Sequence, residues 1–113
     1  MISRGDIYWV DFRGAAGAEI RKLRPAVVVS EQDHNDCMRT VTVVPLSSSE
    51  GAVRPHEVAV PAGLVGDGRR CRLNTHQIRA VDKSRLGRKL GVLPEMLMPE
   101  LEASLLGHLG IEA

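Results

Sequence analysis

GDIYWVDFRGAAGAEIRKLRPAVVVS, residues 5–30, sets two strand-like apolar runs on either side of a loop rich in glycine, alanine and charge. Residues 5–12 alternate as a strand requires: Ile7, Trp9 and Asp11 point one way, Tyr8, Val10 and Phe12 the other. The chain's single Tyr, Trp and Phe all fall in this first run. After Pro25, the apolar run 26–29 suits the opening of a second, buried strand. Residues 13–23 between them are too many for a tight hairpin and carry Glu19, Arg21 and Lys22. Arg24 stands where this loop re-enters the barrel wall, and Pro25 restricts it to extended backbone. A guanidinium on so stiff a base, beside a mobile polar loop, is suited to holding a phosphate.

Working outward, 113 residues make one small domain, 1–113, able to bury a single core. No segment approaches the length of a membrane span and the N-terminus has no apolar signal core, so a cytoplasmic protein is expected. Cys37 and Cys71 lack metal-like spacing and are read as reduced thiols, although one disulfide is compatible with their number. The net charge of +1 hides a strong asymmetry. Residues 69–89 hold eight Lys and Arg against one acidic residue, Asp82, while residues 94–113 hold four Glu and no Lys or Arg. That polarity favours an anionic ligand near the later strands and an acidic C-terminal face away from it.

Residues 31–39 are polar and turn-like, with room for one short helical turn. Residues 40–46, TVTVVPL, form the most β-branched run and predict a central strand, with Pro45 marking a bulge or an unpaired position. Residues 47–51 read as a loop, 57–60 as a strand and 61–68 as a glycine-punctuated loop. Residues 70–75 and 77–81 predict two strands or one bent strand, 82–84 a helical turn, and 86–92 a last strand. Leu97, Leu101 and Leu105, with Met98 and Leu109 alongside, mark a helical stripe. Pro99 is comfortable only in the first turn, which sets the helix at about 99–109 after a tight turn from Pro94. Short strands, Gly/Pro turns and one terminal helix together favour a small barrel.

These motifs carry a family resemblance. GDIYWVDF, then G-A-E, then RPAVVVS is similar to the start of the MazF/PemK (Kid) toxins of bacterial toxin–antitoxin pairs. TVTVVPLSSS and HQIRAVDKSRL resemble later segments of the same family, so the likeness runs through essentially the whole chain. It implies a mainly β fold with a C-terminal α-helix, an SH3-like small barrel of the CcdB-like type. It further implies an endoribonuclease that cuts single-stranded RNA without a metal or other cofactor, works as a homodimer and is neutralised by a cognate antitoxin.

Such cleavage needs a base for the 2′-hydroxyl, a donor for the leaving 5′-oxygen, and cations or hydroxyls for the phosphorane oxygens. The acidic residues form no D-x-D or H-E-x-x-H cluster, and His34, Asp36 and Cys37 make a poor ligand set, so no metal site is expected. The resemblance maps a catalytic arginine onto Arg24. Because an arginine does not readily lose its proton, charge stabilisation suits it better than acid catalysis. Ser47 falls on a family threonine that acts on or positions the substrate, although a Ser-rich turn bonding its own backbone also accounts for it. Glu19, at the G-x-E position, is a base, an orienter of Arg24 or a solvated charge.

This chain departs from Kid-like members where they carry an arginine and, two residues later, a carboxylate; here stand Asn74 and His76. It also has Ala18 where those members have a loop histidine, so their acid–base assignment does not transfer. His76 is then either a base or acid in its own right, since imidazole titrates near neutrality, or a structural histidine. His56 matches a family position and is read as structural. Gln77 and Arg79 match a Q-x-R segment read as structural or RNA-binding, and Arg21, Lys22, Arg69, Arg70 and Arg72 are candidates to track an RNA backbone. With aromatics scarce, base discrimination is expected from hydrogen bonds and pocket shape. Two rival readings stand beside this one: a non-enzymatic poison resembling CcdB, which binds DNA gyrase, and an inactive barrel that only binds nucleic acid or a partner.

Overall fold

The structure is a computed structural model that describes residues 1–48, 53–54, 57–63 and 70–112. In chain order these form β1 (Asp6–Asp11), β2 (Leu23–Val28), α1 (Gln32–Cys37), β3 (Thr40–Ser48), β4 (Glu57–Val60), β5 (Cys71–Asn74), β6 (Arg79–Asp82), β7 (Leu86–Val92) and α2 (Met98–Leu109). Short 3₁₀ turns at Thr75–Gln77, Lys83–Arg85 and Glu95–Leu97 link the later elements. All strand pairs are antiparallel. The sheet runs β4-β5-β3-β2-β1-β7, with β6 added on β3.

β3 is the spine. One edge pairs with β2, while the other pairs first with β6 through residues 40–43 and then with β5 through residues 46–48. Pro45 sits between those two partners on the second edge and opposite Ala26 on the first. The expected disturbance at this proline is therefore a change of partner strand, where a missing N–H does least harm. Both faces of β3 are covered, which is why its apolar residues do not simply alternate with polar ones. Val44 and Leu46 join Ile7, Val27 and Leu73 in one core, closed by Leu97 and Leu101 ahead of and within α2. Val41 and Val43 join Val10, Phe12, Ala26, Val28 and Val81 in a second. The alternation expected of β1 follows: Ile7 enters the first core, Val10 and Phe12 the second.

The terminal helix starts where Pro99 allows, in its first turn, and stops at Gly110. There a left-handed φ of 70° lets the Gly110 and Ile111 N–H groups close on the carbonyls of Gly107 and Leu106, at 3.2 and 2.9 Å. Gly5 is another position where the backbone needs glycine. At φ 96° its N–H reaches the Val28 carbonyl and its own carbonyl accepts from Leu93, both at 2.8 Å, tying the entry of β1 to its neighbours.

The mainly β architecture with a C-terminal helix is present, and the sheet is not closed: β4 and β7 end the strand order, with no ladder between them among the described residues. Ser47 and Ser48 were expected in a loop and instead continue β3. Pairing with Arg72 and Cys71 of β5 overrides the weak strand preference of serine. Leu23 likewise belongs to β2 rather than to the loop before it, held opposite Asp11. Among the described residues no helix is long and apolar enough to cross a membrane.

Candidate active site

Register explains how Arg24 and Ser47 meet across the sheet. Ala26 stands opposite Pro45, so two residues further along the antiparallel strands come Arg24 on β2 and Ser47 on β3. Both line one surface pocket of about 160 Å³. Trp9, Leu23 and Pro25 supply its wall from β1 and β2; Leu46, Ser48 and Cys71 supply the wall from β3 and β5. The pocket is thus apolar on its sides and carries a cation and a hydroxyl together. Among the described residues the Arg24 guanidinium has no ion pair or side-chain hydrogen bond. Among the described residues Glu19 therefore does not orient Arg24 by direct contact. Ser47 is held from behind: its Oγ accepts from Asn74 Nδ2 at 2.8 Å, and Asn74 is only 6% exposed.

Glu19 has other partners. Its Oε1 accepts from the Ala16 N–H at 3.0 Å, and Oε2 lies 3.8 Å from Arg79 Nη1. Arg79 itself lies over the Phe12 ring, 5.4 Å from the centroid, with Nη1 buried and without a hydrogen bond among the described residues. The Glu19 contact is thus an ion pair without a hydrogen bond, a loose arrangement that a moving loop can give up. Gln77 grips the same loop more firmly. Its Oε1 accepts from the Ile20 N–H at 3.2 Å and its Nε2 donates to the Ala18 carbonyl at 3.1 Å. Residues 18–20 are thereby pinned to the turn between β5 and β6, which gives Gln77 a loop-holding position.

His76 lies on that turn, exposed and outside the pocket wall. Arg21, Lys22 and Arg70 are exposed at the surface, while Arg69 and His56 lie outside the described residues. Arg72 parts from the other candidate cations. Its Nη1 donates to Glu57 Oε1 at 3.1 Å, with the two side chains 7% and 6% exposed. Burial pushes the Glu57 carboxyl up, but hydrogen bonds from the Arg54 N–H and the Arg72 guanidinium outweigh it and hold the group below its ordinary value. The Arg72 charge is thus paired inside the protein rather than offered to a backbone.

Trp9, Leu23, Cys71 and Asn74 were not among the candidate site residues. Trp9 is 36% exposed on the pocket rim beside Leu23 at 51%. Asn74 showed itself in the sequence only as a departure from a pattern. Neither cysteine is disulfide-bonded; Cys37 is exposed and Cys71 is buried at the pocket wall. No three His, Cys, Asp or Glu side chains converge on a metal-sized site among the described residues.

The arrangement has relatives. Residues 3–109 match the family described as PemK-like, MazF-like toxin of type II toxin–antitoxin system. A protein named Endoribonuclease MazF9, from Mycobacterium tuberculosis, is 34% identical over 116 residues, covering 98% of each chain. The structure of MazF (Form-I) from Deinococcus radiodurans superposes with a TM-score of 0.80 at 29% identity, covering 95% of this chain and 94% of that one. A MazE–MazF structure (Form-II) from the same organism superposes with a TM-score of 0.73 at 26% identity, covering 96% and 94%. With match, identity and fold in agreement over nearly its whole length, the chain belongs to the PemK-like, MazF-like toxins of type II toxin–antitoxin systems.

Proposed function

We propose that this chain is an endoribonuclease toxin that cuts single-stranded RNA by steering a 2′-hydroxyl onto the adjacent phosphorus, without a metal, and that a cognate antitoxin restrains it. The observation that carries this reading is the Arg24 guanidinium, without ion pair or side-chain hydrogen bond among the described residues, sharing a pocket with the Ser47 hydroxyl. A planar, permanently charged fork suits the two non-bridging oxygens of a phosphodiester, and the hydroxyl adds a second donor as charge builds on the phosphorane. Glu19 or His76 takes the 2′-proton. Neither lines the pocket, so the base is brought to it by the bound RNA or by movement of residues 13–22. The products of this route are a cyclic phosphate and a 5′-hydroxyl end. Of the cations proposed from the sequence to track an RNA backbone, Arg21, Lys22 and Arg70 are exposed. The reading extends to a single domain acting in the cytoplasm as a homodimer.

The test is incubation of the purified chain with single-stranded RNA, with and without chelator, and mapping of the cut ends. Cleavage that persists in chelator, leaves 5′-hydroxyl ends and falls roughly 10²-fold in Arg24→Lys supports the mechanism, because a point charge does not reproduce the fork. Cleavage lost to chelator and restored by magnesium refutes it. Intact RNA throughout returns the chain to the readings of a non-enzymatic poison or a binding module.

A further inference from the structure

Resting on the endoribonuclease reading, we infer that Asn74 is the positioning residue of the site, its buried amide fixing which way the Ser47 hydroxyl presents its proton. Ser47 stands opposite Arg72 on β5, which makes Asn74, two residues on, its diagonal neighbour on the same face. The geometry is direct, with Nδ2 2.8 Å from Oγ and Asn74 6% exposed. A serine hydroxyl has one proton and two lone pairs. The amide N–H occupies one lone pair, and two donors do not point at each other, so the Ser47 proton is turned away from Asn74. Ser47 also lines the pocket that holds Arg24. The outward proton and the guanidinium therefore form a paired set of donors, suited to an anionic oxygen.

The polarity of the partner is what matters. A carboxylate in place of the amide would accept only, and would draw the hydroxyl proton out of the pocket and into the β3–β5 face. An apolar side chain would leave the hydroxyl free to rotate. Asn74 thus acts through Ser47 by preorganising one donor, and it touches no reacting atom. A buried amide also needs such a bond for its own sake, since an unpaired one is costly. A bond made only for that reason would stabilise the fold and leave the chemistry of Ser47 untouched. The experiment has to separate these two roles.

Asn74→Asp, Asn74→Ala, Ser47→Ala and the double variant Ser47→Ala/Asn74→Asp are compared with the parent chain by kcat, KM and pH profile, at a temperature where melting curves show each one folded. Asn74→Asp should lose roughly 10²-fold in kcat near neutral pH, as Ser47→Ala should, with KM little changed, because a preorganised donor is removed in each case. Asn74→Ala, which adds no charge, should lose about 10-fold, the scale of one lost hydrogen bond. Part of the Asn74→Asp deficit should disappear as acid protonates the new carboxyl and makes it a donor again, while the Asn74→Ala deficit should not change with pH. In the Ser47→Ala background, Asn74→Asp should cost nothing further. Losses at Asn74 that persist in full without the Ser47 hydroxyl, or that ignore pH in Asn74→Asp, overturn the positioning role while leaving the enzyme reading intact. A parent chain that cuts no RNA overturns both.

Discussion

Replacing Arg72 with Met separates a residue that supports the site from one that touches RNA. The Arg72 guanidinium and the Glu57 carboxylate are 3.1 Å apart, with side chains 7% and 6% exposed. Removing the cation strands a buried carboxylate whose remaining donor among the described residues is the Arg54 N–H at 2.9 Å. Breaking a buried pair from one side costs roughly 3–5 kcal/mol, and the surviving backbone donor argues for the lower end, about 3 kcal/mol. For 113 residues the unfolding entropy is about 0.24 kcal/mol per kelvin, so Tm should fall by about 12 °C. Arg72→Met/Glu57→Leu should recover most of that loss, because no charge is then left buried. The carboxyl of Glu57 is held below its ordinary 4.5, so its contribution is in place above that pH and is lost as pH falls through the native value. The assay pairs thermal melts with the salt dependence of RNA binding. A melt within about 3 °C of the parent, together with a salt slope reduced by about one unit, would mean that Arg72 faces phosphate and the structural argument is wrong.

Gln77→Leu removes both bonds to residues 18–20 and should speed amide exchange at Ile20 with little change in the sheet; an unchanged rate there would show that the loop is held by something else. Asp11 is held down to about 2, from 3.8, first by the Arg13 side chain and then by the Arg13 N–H. A carboxyl titration by NMR should find that low midpoint and see it rise in Arg13→Gln; whatever stability the pair contributes is in place above pH 3.8 and lost as pH falls towards 2. If His76 is the base, His76→Gln should lower the chemical step by roughly 10²–10⁴-fold and remove the titration near neutrality from single-turnover cleavage. An unchanged profile leaves Glu19 as the base.

Most of the strands were legible because local pattern and tertiary demand agreed. The run 86–92 matches β7 end to end, and Pro99 and the leucine stripe locate α2 to within a residue. The failures cluster where pairing overrules composition. Three serines in a row look like a loop, yet two of them are strand because β5 lies alongside. Nor does any residue in 40–48 announce that β3 takes β6 and then β5 on the same edge, since partner choice depends on residues 23 or more positions away. That one change of partner accommodates Pro45.

The site was legible one residue at a time and not as a set of contacts. Arg24 could be read from Pro25, because the proline stiffens the residue before it. Arg72 could not be told from Arg70, since two residues along the chain, from before β5 to within it, decide whether a guanidinium meets buried Glu57 or solvent. A basic stretch on a strand is therefore not a basic surface: Arg72 and Arg79 both point into protein contacts, whereas Arg70, Arg21 and Lys22 are exposed. The same register logic gives Asn74 its meaning. As a single letter it marks the loss of a charged residue; placed two positions beyond Arg72, it is the group that orients Ser47. With an amide at this position, the proposed chemistry rests on aimed hydrogen bonds around one cation, Arg24.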